Sequence, residues 1–558
     1  MKMTRLNKIC IAAVSIVLVG CGTPAIISTP IENIDNIPLK INPLTENQLK
    51  EWTFYDLVSD TIPGMSVEKA YNEIIKNRKG QTIIVGVIDS GVDIEHEDLD
   101  DVIWTNSDEI KGNGKDDDDN GYIDDIYGWN FLGDAENENL EYVRIMKKLK
   151  PKYDGKYLAS IPEEDRDEYQ KYIEAKAEFE KEYQEAFSNK QQYEQILVQA
   201  KASHESITKA LDKEDYSQEE LLKLDPENKE IEYHMAFLSQ MFSFLDPGDT
   251  IPDFIKNLEE GIEHFTEQLD YNLNVELDGR KVVGDNVDDI TDTRYGDNNV
   301  MGPDPQKEGI KHGTHVAGII AAERNNSIGM NGVARNVQIM AIRAVPNGDE
   351  YDKDIALAIR YAVDNGAKII NTSFGKYFST HPEWVREAIT YAASKDVLIV
   401  NAAGNEAEDL DQKAVYPNDQ IDNTSEVADN FITVGALNYE YGSDLVADFS
   451  NIGKSNVDVF APGVKIWATT PNNSYEYLQG TSMAAPAVSG VAALIRSFYP
   501  KLKASQVKKI LMDSGLSTKT KVTVGDDATN VKSFSELSKS GRMVNLYNAL
   551  IMADKMSK

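Results

Sequence analysis

Three side chains far apart in the chain have the types needed for acyl transfer. Ser482 stands in LQGTSMAAPAVSG (478–490), His312 near the start of KHGTHVAGIIAA (311–322), and Asp89 at the end of TIIVGVID (82–89). A serine hydroxyl attacks a carbonyl well only when an imidazole removes its proton and a carboxylate holds that imidazole in the right tautomer. Each residue also has an ordinary use. Serine is a favoured helix N-cap, a strand-ending aspartate binds turn N–H groups, and His312 with His315, three apart on one helix, could ligate a metal. No HExxH glutamate accompanies that pair, which weakens the metal reading.

The elements around these residues decide between the uses. TIIVGVID, VQIMAIRAV (337–345), KIINTS (368–373), VLIVN (397–401) and ITVGAL (432–437) are short apolar runs, as expected of strands buried on both faces. Helical periods lie between several of them, including IALAIRYAV (355–363) and EWVREAITYAAS (383–394). The alternation predicts an α/β fold, a doubly wound and mostly parallel sheet with helices on both sides. In such sheets reactive groups collect beyond the carboxyl ends of the strands, where Asp89 stands. The run from Met483 to Phe498 repeats small and apolar residues at three and four, so Ser482 falls at the N-terminus of a buried helix, near the positive end of its dipole.

From about Leu140 to Tyr271 the pattern changes to charged, glycine-poor and helical. Tyr172, Phe179, Tyr183 and Phe187 recur at sevens and fours and read as the core face of an inserted helical subdomain, while SQEE (217–220) reads as a capping box. The expected organisation is a leader over 1–20, a Pro- and Asn-rich tether over 21–51, catalytic segments over 52–139 and 272–558, and the insertion over 140–271. SVEKAYNEIIKN (66–77) reads as the first helix of the catalytic domain.

With 558 residues, 41% of them hydrophobic, the chain can bury a large core. Its formal charge of −36 repels phosphate backbones and argues against nucleic-acid partners. Lys2, Arg5 and Lys8 precede the apolar run Ile9–Val19, the layout of a secretory signal and too short for a comfortable membrane span. The leader ends LVGC, which resembles the lipobox of bacterial lipoproteins. That resemblance implies lipidation of Cys21, export, and anchoring to a membrane at the periplasmic face or cell surface.

IDSGVD (88–93), HGTHVAG (312–318) and GTSMAAP (480–486) resemble the three catalytic signatures of the subtilisin-like serine proteases, in that family's chain order. GRMVNLYNAL (541–550) is similar to the family's tail. The resemblance implies a serine endopeptidase with Asp89 as orienting acid, His312 as general base and Ser482 as nucleophile. In NAAGN (401–405) it makes Asn405 an oxyanion donor beside the Ser482 backbone N–H. Ser373, Phe374 and Gly375 would pair with an extended polypeptide substrate as an added strand, and Ala403 and Gly404 join them as substrate-binding residues. Glu406 would lie on the pocket rim and favour basic residues. Asp89 and His312 are separated by far more than the family's usual few tens of residues, an insertion that loop-closure entropy tolerates.

Two loops read as structural calcium sites. GKDDDDNGYIDD (114–125) spaces oxygen-bearing residues as an EF-hand loop does, with Asp116, Asp118, Asn120, Tyr122 and Asp124 as candidate ligands and Tyr127 where the bidentate acid should be. NNSIGMNGVA (325–334) resembles the calcium loop of subtilisins, implying Asn326, Ile328 and Met330 as ligands with Asp98 as partner carboxylate. Two alternatives share these features: a silent binding or scaffold protein on a protease fold, and an esterase, for which the GxSxG elbow is lacking.

Overall fold

The apolar runs form the middle of one sheet because their alternate residues are buried on opposite faces. The structure, a computed structural model, describes residue 26 and residues 28–226, 228–245, 249–422 and 425–558; the leader and Cys21 lie outside the described residues. The strands are β1 (Ile83–Asp89), β2 (Gly128–Asn130), β3 (Val337–Arg343), β4 (Ile369–Thr372), β5 (Leu398–Ala402), β6 (Phe431–Leu437) and β7 (Val459–Pro462). Their order is β2-β3-β1-β4-β5-β6-β7, with every neighbouring pair parallel. A two-stranded antiparallel hairpin, β8 (Ile466–Thr470) and β9 (Ser474–Leu478), stands apart from the sheet.

The longer helices among the described residues are α1 (Glu141–Tyr153), α2 (Arg166–Leu211), α3 (Lys229–Met241), α4 (Ile251–Glu267), α5 (Lys311–Ala321), α6 (Asp352–Asp364), α7 (Pro382–Ser394), α8 (Thr481–Phe498), α9 (Ala504–Ser514) and α10 (Leu546–Met556). Val85 and Val87 of β1, Ile339 and Ala341 of β3, and Leu398 and Val400 of β5 pack into one core with α5, α8, α9 and α10. Ile88, Met340, Ile342, Ile370 and Ile399 face the opposite core, with α6 and α7. The period of two thus serves both faces, as a doubly wound sheet requires. β1 lies between β3 and β4, so the chain reverses direction across the sheet at Asp89.

The inserted unit has two small cores strung along α2, which is 46 residues long. One holds Tyr142, Leu149, Tyr153 and Tyr172; the other holds Ile207, Leu221, Leu238 and Met241. The Ser217–Glu220 capping box is formed. The aromatic stripe is core only in its first half: Tyr172 is 2% exposed, whereas Tyr183 is 38% and Phe187 43% exposed. The face explains the difference: Ala186, between them, is 3% exposed and lies in the first of these cores, so this turn of α2 is covered on a side that Tyr183 and Phe187 do not share.

The segment expected to be a free tether is instead docked over much of its length. The backbone N–H of Ile31 donates to Asn548 Oδ1 at 2.7 Å, Asn548 Nδ2 donates back to the Ile31 carbonyl at 2.9 Å, and Ile34 is buried. Thr45 forms a capping box at the start of a short helix leading to the fully buried Trp52. Among the described residues no helix is long and apolar enough to cross a membrane.

Tyr172→Ala should destabilise the protein by about 3 kcal/mol or more, the cost of emptying an aromatic core site. Phe187→Ala should stay within about 0.5 kcal/mol, as exposed positions do. Denaturant unfolding of the two variants checks this.

Candidate active site

Asp89 ends β1 and is almost wholly buried. Its Oδ1 accepts hydrogen bonds from His312 Nδ1 at 2.7 Å and from the Ser90 backbone N–H at 2.8 Å. His312 is the second residue of α5, and the next residue must be small. A Cβ on Gly313 would lie 2.1 Å from the Gly91 carbonyl oxygen and 3.1 Å from Asp89 Cβ, so only glycine lets the helix approach β1. Burial alone would lower the basicity of His312, but the charge of Asp89 and its hydrogen bond outweigh that and raise its pKa above 6.5. With Nδ1 committed to Asp89, Nε2 is the ring atom left to accept a proton.

Ser482 is the second residue of α8, after Gly480 at the cap position, and it does not cap the helix. Its Oγ donates to the Ser373 carbonyl at 3.0 Å, and Ser373 Oγ donates to the Ser482 carbonyl at 2.8 Å. Asn371 Nδ2 donates to Ser373 Oγ at 2.9 Å, and Ser489 Oγ, two helical turns on from Ser482, donates to Asn371 Oδ1 at 2.8 Å. This chain of hydrogen bonds fixes the N-terminus of α8 beyond the carboxyl end of β4. Ser373, Asp89 and His312 line one cleft of about 660 Å³. In this state the Ser482 hydroxyl points to Ser373 and has no hydrogen bond to His312 among those of the described residues.

Asn405 is oriented by Thr481. Its Oδ1 accepts from the Thr481 N–H at 2.8 Å and from Thr481 Oγ1 at 3.0 Å, which turns the amide so that Nδ2 remains the donor on offer beside the start of α8. Thr481 Oγ1 also accepts from the Gly404 N–H at 3.0 Å. Gly404 has φ of +101°, and a Cβ there would sit 2.4 Å from Asn451 Nδ2, so the turn into Asn405 depends on glycine. Ala403 is fully buried, its N–H bound to Val434 and its carbonyl to Asn451 Nδ2, so its backbone serves the scaffold. Gly375 is exposed and Phe374 half-buried just past the end of β4, while Lys376 exchanges both backbone bonds with Tyr416. Glu406 is exposed, but its Oε2 accepts from the Tyr377 hydroxyl and from the Asn405 N–H, so the carboxylate braces its own loop.

His315 belongs to the scaffold. Its Nε2 lies 3.1 Å from the Ile466 carbonyl and 3.2 Å from the Glu476 carbonyl, across the β8–β9 hairpin, and burial holds its pKa down to about 3. A neutral ring donating to carbonyls leaves no metal-binding pair with His312.

The acidic loop forms differently from its spacing. Asp124 turns away and accepts the N–H groups of Gly112, Asn113 and Gly114. Asp116 accepts from the Asn120 and Gly121 N–H groups, and the Tyr122 ring packs against Trp129 and Tyr361. The carboxylates that converge are Glu109, Asp118 and Asp125, each offering an oxygen within 4.8 Å of the others, and Asn120 donates to Asp118 and Asp125. Burial pushes Asp125 up to about 6. Three converging hard oxygen donors, with Asp125 among them costly to ionise, suit a divalent cation. In the second loop, Asp98 accepts from Asn326 Nδ2 at 2.6 Å, the Met330 N–H at 3.1 Å and the Tyr475 hydroxyl at 3.3 Å, while Ile328 is exposed. Asp98, Asn326 and Met330 therefore meet, but through donors that a cation on Asp98 would have to displace.

Several site residues carry no signal of their own in the sequence. Asn451 reaches the Gly404 turn, by its bond to Ala403, from 48 residues downstream in FSNIG, a stretch with no motif. Glu267, the last residue of α4, is carried by the insertion onto the cleft wall with Glu136, Glu308 and Lys311. Thr481 is the exception, because it lies inside GTSMAAP.

The family model described as Subtilase family matches residues 80–535, and the chain belongs to that family. The thermophilic serine proteinase of Bacillus sp. (strain AK1) is 39% identical over 258 residues, which is 45% of this chain and 57% of that protein. Subtilisin DY of Bacillus licheniformis is 35% identical over 239 residues, 42% of this chain and 82% of its own length. A solved protease structure from Pseudoalteromonas arctica PAMC 21717 aligns over 43% of this chain and 70% of that one, at 29% identity and a TM-score of 0.36.

Titration of His312 by NMR should give a pKa above the ordinary imidazole value of 6.5, with the ring protonated below it and neutral above. Asp89→Asn removes the charge that raises it and should move the midpoint down. An unchanged midpoint would show that Asp89 does not set the imidazole's basicity.

Proposed function

We propose that the protein is a serine endopeptidase that cuts extended polypeptides through an acyl-enzyme intermediate. The observation that carries this reading is the 2.7 Å bond from His312 Nδ1 to Asp89, which leaves Nε2 free on a ring that lines the same cleft as the Ser482-bound Ser373. A turn about the Ser482 side-chain bond takes Oγ from the Ser373 carbonyl towards Nε2. His312 then takes the hydroxyl proton as Oγ attacks the substrate carbonyl, and Asp89 holds the resulting imidazolium in place.

Negative charge gathers on the former carbonyl oxygen. Asn405 Nδ2, aimed by the two Thr481 bonds to its Oδ1, and the Ser482 N–H in the first turn of α8 are the donors for it, with the helix dipole adding to both. Collapse of the tetrahedral species breaks the C–N bond as His312 returns the proton to the amine, and water repeats the sequence on the ester. Phe374 and Gly375 supply the free edge for a substrate strand. Glu136, Glu267, Asp304 and Glu308 line the cleft against Lys311, which is paired to Glu476, and Arg343, which is turned to backbone carbonyls, so the wall is acidic on balance and suits cationic peptides.

Calcium fits this reading as a structural ion. Glu109, Asp118 and Asp125 would hold it, with Asn120 adjoining, and the bound charge would offset the repulsion among those carboxylates. The leader and LVGC further support export and anchoring by a lipid on Cys21.

A fluorophosphonate should label the purified protein, and Ser482→Ala should abolish the label; no Ser482-dependent label would favour a silent scaffold. Asn405→Ala should lower kcat on a peptide by about 10²–10³-fold with little change in KM. EGTA should lower the melting temperature, whereas an unchanged melt would count against both calcium loops.

A further inference from the structure

The inserted helical unit touches the catalytic domain through a buried ionic cluster placed one residue from the substrate edge. Glu141 opens α1 of the insertion and is 3% exposed; Lys376 follows Gly375 and is also 3% exposed. Lys376 Nζ lies 3.3 Å from Glu141 Oε2, 3.1 Å from Asp352 Oδ1 and 2.6 Å from the Glu350 carbonyl. The same Glu141 carboxylate binds the Arg144 guanidinium and the Thr380 hydroxyl. Arg144 also donates to the carbonyls of Asp349, at 2.7 Å, and Glu350, at 3.1 Å, and the Glu141 N–H donates to Asp349 Oδ2 at 2.6 Å.

A second contact lies a few residues along the same segment. Lys171 of α2 donates to the Ser379 carbonyl at 2.5 Å, and Asp352 Oδ2 accepts from Ser379 Oγ and from the N–H groups of Thr380 and His381. Tyr142 of α1 packs edge-on against Phe378. The stretch 376–381 is therefore held on one side by the insertion and on the other by the N-terminus of α6. Burial would favour the neutral form of Glu141, but Arg144 and Lys376 outweigh it and hold its carboxyl well below the usual range. Buried charges of this kind persist because removing one partner strands the others.

We infer that the insertion is a brace for the substrate-pairing edge, with Glu141 as the positioning residue that sets Phe374 and Gly375 through Lys376. The inference rests on the endopeptidase reading for its meaning but not for its test. The brace touches neither Ser482 nor His312, so its loss acts on how a long peptide is held and spares the reacting groups. Ser373 stays fixed by its two bonds to Ser482, so a peptide that pairs along 374–375 loses affinity when that part of the edge shifts, whereas a minimal acyl substrate that fills only the reacting position does not.

Glu141→Gln in the full chain should raise KM for a hexapeptide amide about three- to tenfold with kcat nearly unchanged. Its rate of fluorophosphonate labelling and its kcat/KM on a single-residue ester should stay within twofold of the parent. Equal losses on hexapeptide and ester, or no loss on either, would overturn the brace. If Glu141→Gln melts too low to assay, Glu141→Gln with Lys376→Gln removes both charges, and the same selective loss is expected. In the Ser482→Ala protein, calorimetric affinity for the hexapeptide should fall by the same three- to tenfold when Glu141→Gln is added. That arm reads the edge without turnover, so an unlabelled parent would reject the endopeptidase reading while the brace still stands or falls on binding.

Discussion

The hydrogen bond between Asp89 and His312 exists because α5 comes down onto the end of β1 with no side chain between them. Gly313 is the residue that permits it, since a methyl group there would strike the Gly91 carbonyl. The rest of the site follows from that approach. Once the imidazole is fixed at Nδ1, its other nitrogen is left free on a ring that lines the cleft, and the start of α8 must be tied to the end of β4 to present a hydroxyl there. The Ser373–Ser482 exchange and the Ser489–Asn371 bond make that tie. The site is thus a junction of four element ends, those of β1, α5, α8 and β4, set by packing of the sheet's first core.

Electrostatics divides the two histidines of one helix. His312 lies partly open beside a carboxylate and gains basicity, while His315, one turn deeper, is buried against carbonyls and loses it. Sequence spacing alone treats them as equivalents. A similar division separates the carboxylates of the 114–125 loop, where Asp124 is satisfied by backbone N–H groups and Asp125 is left in a buried cluster.

The central strands were legible because each is an unbroken apolar run, and the catalytic motifs because GTSMAAP and HGTHVAG combine small residues with one reactive group in a pattern that a plain core does not need. β2, at three residues, is too short to show a period, and β7 ends in Pro462, which reads as a turn residue rather than a strand. The stripe on α2 misled because periodicity reports that a helix could bury a face, not which face its partners cover: Ala186 is buried where Tyr183 and Phe187 are exposed. Residues 28–51 looked like tether because composition says nothing of the Asn548 side chain that waits for Ile31. The parts of the site that could not be read, Asn451 and Glu267, reach it only by tertiary folding, with no local constraint on their neighbours in sequence.

That docking of the first described segment on α10 has a bearing on how the molecule is made. Ile31 and Asn548 are 517 positions apart, so the two satisfy each other only after the whole stretch between them has been made. Contacts of such long range close late and slow assembly. The segment around Ile31 can take its seat only when α10 is present to receive it, so this contact closes over a sheet whose strands all lie between the two in sequence.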